Sequence, residues 1–276
     1  MSNASLPVAM FDSGVGGLTV LHECLVSLPQ EDYVYLGDTE LFPYGSRDVS
    51  ELRQRVAAIA DLLLGRGAKL LVIACNTATA VAEDVAREVA AGYGVEVVPV
   101  VTPQAEIAAA ITANGRVGVL ATPNTVASGA YRRALEIQDR ALDVIEVGAP
   151  RLAPFIQDGS LFDEETMDMA RSYCAPLREA EVDTLILGCT HYPLVAPMLQ
   201  RILGRDVRLV SGGHAVAAAV QRTLDGAGLS RPSSAGEGAY DFLCTGEAAA
   251  FRELGTRFLQ MPLGEVERIP IAADYP

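Results

Sequence analysis

Short apolar runs alternate along the chain with longer, alanine-rich segments that carry the charges. This is how buried strands read when helices separate them. The pattern predicts strands at 8–11, 33–36, 70–74, 95–101, 117–121, 143–147, 184–187, 207–210 and 240–244. It predicts helices between them at 17–28, 49–64, 77–91, 104–113, 124–138, 164–180, 193–203 and 213–224. Such alternation gives an α/β fold with mainly parallel sheets, in which ligands gather beyond the carboxyl ends of the strands. No low-complexity linker divides the chain, and its clearest exposed loop is 230–238. Two stretches repeat one another loosely. LLVIACNTATA at 70–80 and TLILGCTHYPL at 184–194 each run from an apolar strand through a cysteine and a hydroxyl-bearing turn into a helix, so two similar halves facing one another are expected.

The turns hold the candidate chemistry. Cys75 leaves a buried strand at the mouth of a helix, where the positive end of the helix favours a thiolate and a lowered pKa. Asn76 and Thr77 add short side chains and unpaired backbone N–H groups, a cradle for a small carboxylate. Alone, Cys75 reads slightly better as an inert core residue. Cys189 occupies a matched context with Thr190 and His191 next to it, and two matched sites favour function. His191 is placed to hold or relay a proton, since imidazole titrates near neutrality.

FDSGVGGLTV opens a helix through a glycine-rich turn, without the spacing of a phosphate loop or a dinucleotide fingerprint. Its Asp12 and Ser13 suit an ammonium group, or simply cap the helix. In YLGDTELFPYGSR, Asp38 is placed to assist a base, while Tyr44 and Gly45 either offer backbone groups to a ligand or form a tight turn. Cys24, Cys174 and Cys244 lack polar companions and are expected to pack.

Half of the 276 residues are apolar, yet no apolar run approaches the roughly 20 residues that span a bilayer. The first residues lack the basic start and apolar core of a secretion signal, so a cytoplasmic protein is expected. A net charge of -14 and a pI near 4.6 repel phosphate backbones, so nucleic acid is not an expected partner. The five cysteines are odd in number and include no Cys-x-x-Cys pair, so free thiols are expected. Lys69 is the only lysine and precedes its strand, at the wrong end for a pyridoxal Schiff base.

In the order FDSGVGG, GDT with PYG, ACNTATA and LGCTHYPL, continuing into FLCTGEAAAFRELGTRFL, the chain resembles the glutamate racemase family over nearly its whole length. The resemblance implies two similar α/β domains, 1–99 with 210–276 and 100–209, with the active site in the cleft between them. It implies Cys75 and Cys189 as the two acid/base residues, assisted by Asp38 and His191. Asp12, Ser13, Tyr44, Gly45, Asn76, Thr77, Thr190 and His191 would bind the substrate, glutamate. No metal, pyridoxal phosphate or other cofactor is implied, and a homodimer is the expected assembly. The sequence departs from the family at Gln157, where many relatives carry a glutamate, and also at 211–214 and at Glu40 and Leu41. An aspartate racemase, or a binding protein that has lost catalysis, are the rival expectations.

Overall fold

The structure, a computed structural model, describes residues 3–161 and 163–271. The chain first lays down β1 (Val8–Asp12), α1 (Leu18–Ser27), β2 (Tyr33–Gly37), α2 (Val49–Gly65), β3 (Leu70–Ile73), α3 (Asn76–Tyr93) and β4 (Glu96–Pro99). It then crosses into α4 (Val101–Ile111), β5 (Arg116–Ala121), α5 (Pro123–Ser128), α6 (Ala130–Gln138), β6 (Asp143–Gly148), α7 (Leu152–Gln157), α8 (Glu164–Glu179), β7 (Thr184–Gly188), α9 (Ala196–Leu203) and β8 (Arg208–Val210). It returns through α10 (Gly212–Ala227), β9 (Tyr240–Cys244), α11 (Ala248–Leu259) and β10 (Val266–Arg268).

Two sheets result, every strand pair in them parallel. One has the order β10-β9-β2-β1-β3-β4 and the other β6-β5-β7-β8. The segments β2-β1-β3-β4 and β6-β5-β7-β8 follow one plan, the structural form of the repeat in the sequence. Helices cover both faces of parallel sheets, which is why the strands are continuous apolar runs. β1, β3 and β7 are buried at every position. Along β1, Val8 and Met10 face one core while Ala9 and Phe11 face another. The first of these cores is shared: it joins Val8 and Met10 to Val117, Val119 and Leu185 of the second sheet.

Several boundaries differ from expectation. The strand expected at 95–101 stops at Pro99 because the apolar run continues without a break into α4, leaving no polar residue to mark the change. The helix expected at 124–138 is two helices, parted at Gly129, whose φ of 65° breaks the α-helical path. The helix expected at 193–203 begins with a 3₁₀ turn at Tyr192–Val195. α7, α11 and β10 were not expected. α7 has six residues and β10 three, too few to show a period, and α11 contains Gly255 and starts without a side-chain cap. Among the described residues no helix is long and apolar enough to cross a membrane.

Candidate active site

In each sheet the chain order reverses beside the first strand laid down, between β1 and β3 and between β5 and β7. In open parallel sheets such reversal points open a crevice beyond the carboxyl ends. Register fixes what emerges there. Phe11 pairs with Ile73, so Asp12, Ser13, Cys75 and Asn76 leave together. Ala121 pairs with Gly188, so Thr122, Cys189 and Thr190 leave together. The two groups meet. Ser13, Cys75, Asn76, Thr77, Thr122, Cys189, Thr190 and His191 line one narrow cleft, with Tyr44 and Gly45 from the loop after β2.

Each sulfur sits among donors. Cys75 caps α3, its Sγ accepting from the Ala78 N–H at 3.4 Å, and Ser13 adds a hydroxyl and a backbone N–H. The backbone N–H groups of His191 and Tyr192 point at Cys189, and His191 Nδ1 lies 3.8 Å from its Sγ. The helix-end effect expected at Cys75 does not prevail, however. Burial pushes its thiol up to about 12, reinforced by the charge of Asp12. Burial pushes Cys189 up as well, and there Asp12 and Cys75 both add to the rise. The closing of the second sheet over the first removes the water that would solvate a thiolate, and this loss outweighs the helix end. Each thiol is therefore protonated at rest, and the converging N–H groups favour whichever one ionises.

Asp12 and His191 stand behind this pair. Asp12 is fully buried, and its Oδ1 accepts from the Gly14 N–H at 2.9 Å. Burial raises its pKa from 3.8 to about 6, with hydrogen bonds from Gly14 and Thr190 holding the rise in check. Burial lowers His191 to about 3, so the ring is neutral. Its Nε2 lies 3.0 Å from Gln157 Oε1, which only accepts, so Nε2 carries the proton and the Nδ1 lone pair faces Cys189. Phe42 and Phe258 flank the ring at centroid distances of 5.3 and 5.1 Å. The glycine-rich turn makes room for this packing: a Cβ on Gly16 would come 2.5 Å from the His191 ring.

Asp38 lies behind Tyr44 and does not line the cleft. It accepts from the Tyr44 hydroxyl at 2.5 Å, the Thr245 hydroxyl at 2.8 Å and Arg55 at 2.5 and 2.8 Å. The hydroxyl of Tyr44 is thereby anchored to Asp38. Asn124 Nδ2 donates to the Tyr44 carbonyl at 3.0 Å, tying this loop to the second sheet. Lys69 is buried at the opposite end of β3 and paired with Glu31. No group of His, Cys, Asp or Glu among the described residues is arranged to hold a metal.

Residues 19–220 match the family described as Asp/Glu/Hydantoin racemase. The chain belongs to this racemase family. It is 43% identical over 269 residues, 98% of either chain, to a glutamate racemase of Mycobacterium tuberculosis. It is 42% identical over 262 residues to one of Acidothermus cellulolyticus, covering 95% of this chain and 98% of the relative. The structure of a Francisella tularensis glutamate racemase in complex with D-glutamate superposes with a TM-score of 0.91 at 28% identity, over 98% of this chain and 100% of the other.

Within this racemase fold, the motifs found in the sequence converge, and several partners were not foreseen. Thr122 lines the cleft and meets the Thr77 hydroxyl at 2.9 Å. Its position immediately after a predicted strand was the available signal, and register makes it the counterpart of Ser13 in the first sheet. Gln104, Tyr131, Arg55 and Thr245 carried no local signal, because their partners are distant in the chain.

Proposed function

We propose that the protein interconverts L- and D-glutamate without a cofactor, by proton exchange between Cys75 and Cys189. The observation that carries this is the placement of two topologically equivalent thiols, one per sheet, each within a set of hydrogen-bond donors, on one narrow cleft. Inverting a carbon centre requires a proton to leave one face and another to arrive at the opposite face. One cysteine first gives its proton to a neighbouring base, Nδ1 of His191 for Cys189 or the Asp12 carboxylate for Cys75, and the thiolate so formed takes the Cα proton, becoming a thiol. The other thiol delivers its proton to the far face and becomes the thiolate, and the roles exchange for the other enantiomer. Asn76, Thr77, Thr190 and Ser13 hold the substrate, and the dry cleft strengthens the contacts that stabilise the carbanion.

Asp12 is the carboxylate for the ammonium group, and its charge bears on both thiols. His191 assists Cys189 as a neutral acceptor. In our reading Asp38 acts through Tyr44, fixing the loop that carries Gly45, in place of the direct acid role its motif suggested. The 43% identity to a named glutamate racemase supports glutamate over aspartate. The two sheets draw their strands from 8–99 with 240–268 and from 116–210, which supports domains of 1–99 with 210–276 and 100–209. Supply of D-glutamate to peptidoglycan precursors, a cytoplasmic location and a homodimer are carried over from the family resemblance. Circular dichroism of L- and D-glutamate and of L- and D-aspartate, with protein free of added cofactor, tests the proposal. Loss of optical activity from both glutamate enantiomers, with solvent deuterium at Cα, is the expected result, and unchanged signals would refute it.

A further inference from the structure

Gln104 lies outside the cleft, yet it touches what holds both halves of it together. It belongs to the first turns of α4, just after the chain crosses from β4, and is fully buried. Every hydrogen-bonding position of its amide is used. Nε2 donates to the carbonyls of Leu187 at 3.2 Å and Val210 at 3.3 Å. Oε1 accepts from Asn76 Nδ2 at 2.9 Å and from the Tyr131 hydroxyl at 2.5 Å. Asn76 Nδ2 also donates to the Tyr131 oxygen at 2.6 Å.

The positions of these partners give the network its meaning. Asn76 directly follows Cys75, and Leu187 stands two residues before Cys189. Val210 is the last residue of β8, where the chain turns back into α10. One side chain therefore joins the turn of Cys75, the strand that leads to Cys189 and both stretches where the chain passes between the sheets.

The polarity of the network is also settled. Main-chain carbonyls only accept, so Nε2 of Gln104 must face Leu187 and Val210. Oε1 must then face Asn76, and Asn76 must answer with Nδ2. Both Nδ2 protons are committed, which leaves Oδ1 as the end of the Asn76 amide available to the cleft that Asn76 lines. A core glutamine serving only to fill space would not span partners 28, 83 and 106 residues away.

We propose that Gln104 is a positioning residue for racemisation: it rivets the Cys75 turn to the Cys189 strand and sets which end of the Asn76 amide meets the substrate. This rests on the two-thiol reading above. Buried networks in which every member is satisfied hold one geometry, and a misplacement of an ångström at a reacting centre is costly.

The test compares wild type, Gln104→Met and Tyr131→Phe, measuring kcat and KM in both directions together with thermal unfolding. Gln104→Met keeps the bulk of the side chain and removes its polarity, and is expected to lower kcat about tenfold or more in both directions and to raise KM. Tyr131→Phe leaves the bonds of Gln104 to the two carbonyls and removes both bonds of the Tyr131 hydroxyl, the one to Gln104 Oε1 and the one from Asn76 Nδ2. It is expected to lower kcat about threefold with little change in unfolding temperature, and it decides the matter if Gln104→Met does not fold. A purely structural glutamine would lower the unfolding temperature while leaving kcat and KM of the folded protein at wild-type values, and that result overturns the proposal. Wild type without racemase activity would instead overturn the two-thiol reading, and the rivet with it.

Discussion

The Thr190 hydroxyl donates to Oδ2 of Asp12 at 3.1 Å, linking the turn after β7 to the last residue of β1. It is one of the bonds that keep the pKa of this buried carboxyl from rising further. Thr190→Val removes the donor and keeps the shape. Asp12 should then titrate above its present value of about 6, and the acid limb of the kcat/KM profile should move to higher pH. Profiles of the two proteins over pH 5–9 check this, and coincident limbs would count against Asp12 as the titrating group.

Cys75→Ser and Cys189→Ser should each lower racemisation by about 10²–10⁴-fold, the usual worth of a positioned acid or base. The serine hydroxyl is far harder to ionise than a thiol in the same setting. Cys24, Cys174 and Cys244 are also free and buried but lie outside the cleft, so alanine there should cost stability and spare turnover. Polarimetry and thermal unfolding of the five variants separate the two classes. Full activity in either of the first two would end the mechanism.

Stability should carry the mark of Asp12. Its pKa is raised in the folded protein, from 3.8 to about 6, so between those values the folded state keeps a proton that the unfolded chain gives up. Stability from this group is therefore present below pH 4, falls as pH rises to about 6, and stays lower above it by about 3 kcal/mol. Asp12→Asn should be more stable than wild type at pH 7–8, with the advantage shrinking toward pH 4. His191 acts in the opposite sense, costing stability as pH falls from 6.5 toward 3, because only the unfolded chain binds its proton. Urea unfolding of wild type and Asp12→Asn across pH 4–8 isolates the Asp12 contribution.

Gln157→Glu should change how Cys189 ionises. A carboxylate 3.0 Å from His191 Nε2 favours the imidazolium, whose Nδ1 proton would then stabilise a Cys189 thiolate. Alkylation of Cys189, followed by peptide mass, should begin at lower pH than in wild type. The kcat/KM values of the two directions must remain equal to each other, because enantiomers have equal free energy, so any change in kcat/KM should be the same in both directions. An unchanged alkylation profile would show that the ring does not act on Cys189.

The elements that carry the site were legible because buried parallel strands are continuous apolar runs and the residue after each one is delivered to the crevice. That logic pointed to the turns of Cys75 and Cys189, which line the cleft, whereas Asp12 ends β1 behind it. The direction of the thiol shifts was not legible, since it depends on the second sheet closing over the first. Nor were the partners of Asp38, one of which, Thr245, lies 207 residues away. Gln104 was silent for the same reason: every bond that gives its amide a role crosses between elements.

The recurrence of one strand order in both sheets suits a reaction whose two ends are mirror images. A chain folded twice on one plan presents each hand of its substrate with a similar wall. The surroundings of the two sulfurs nonetheless differ, a serine beside one and a histidine with its glutamine beside the other. Left and right can thus be adjusted separately by changing a neighbour, while the balance point between them stays where thermodynamics puts it.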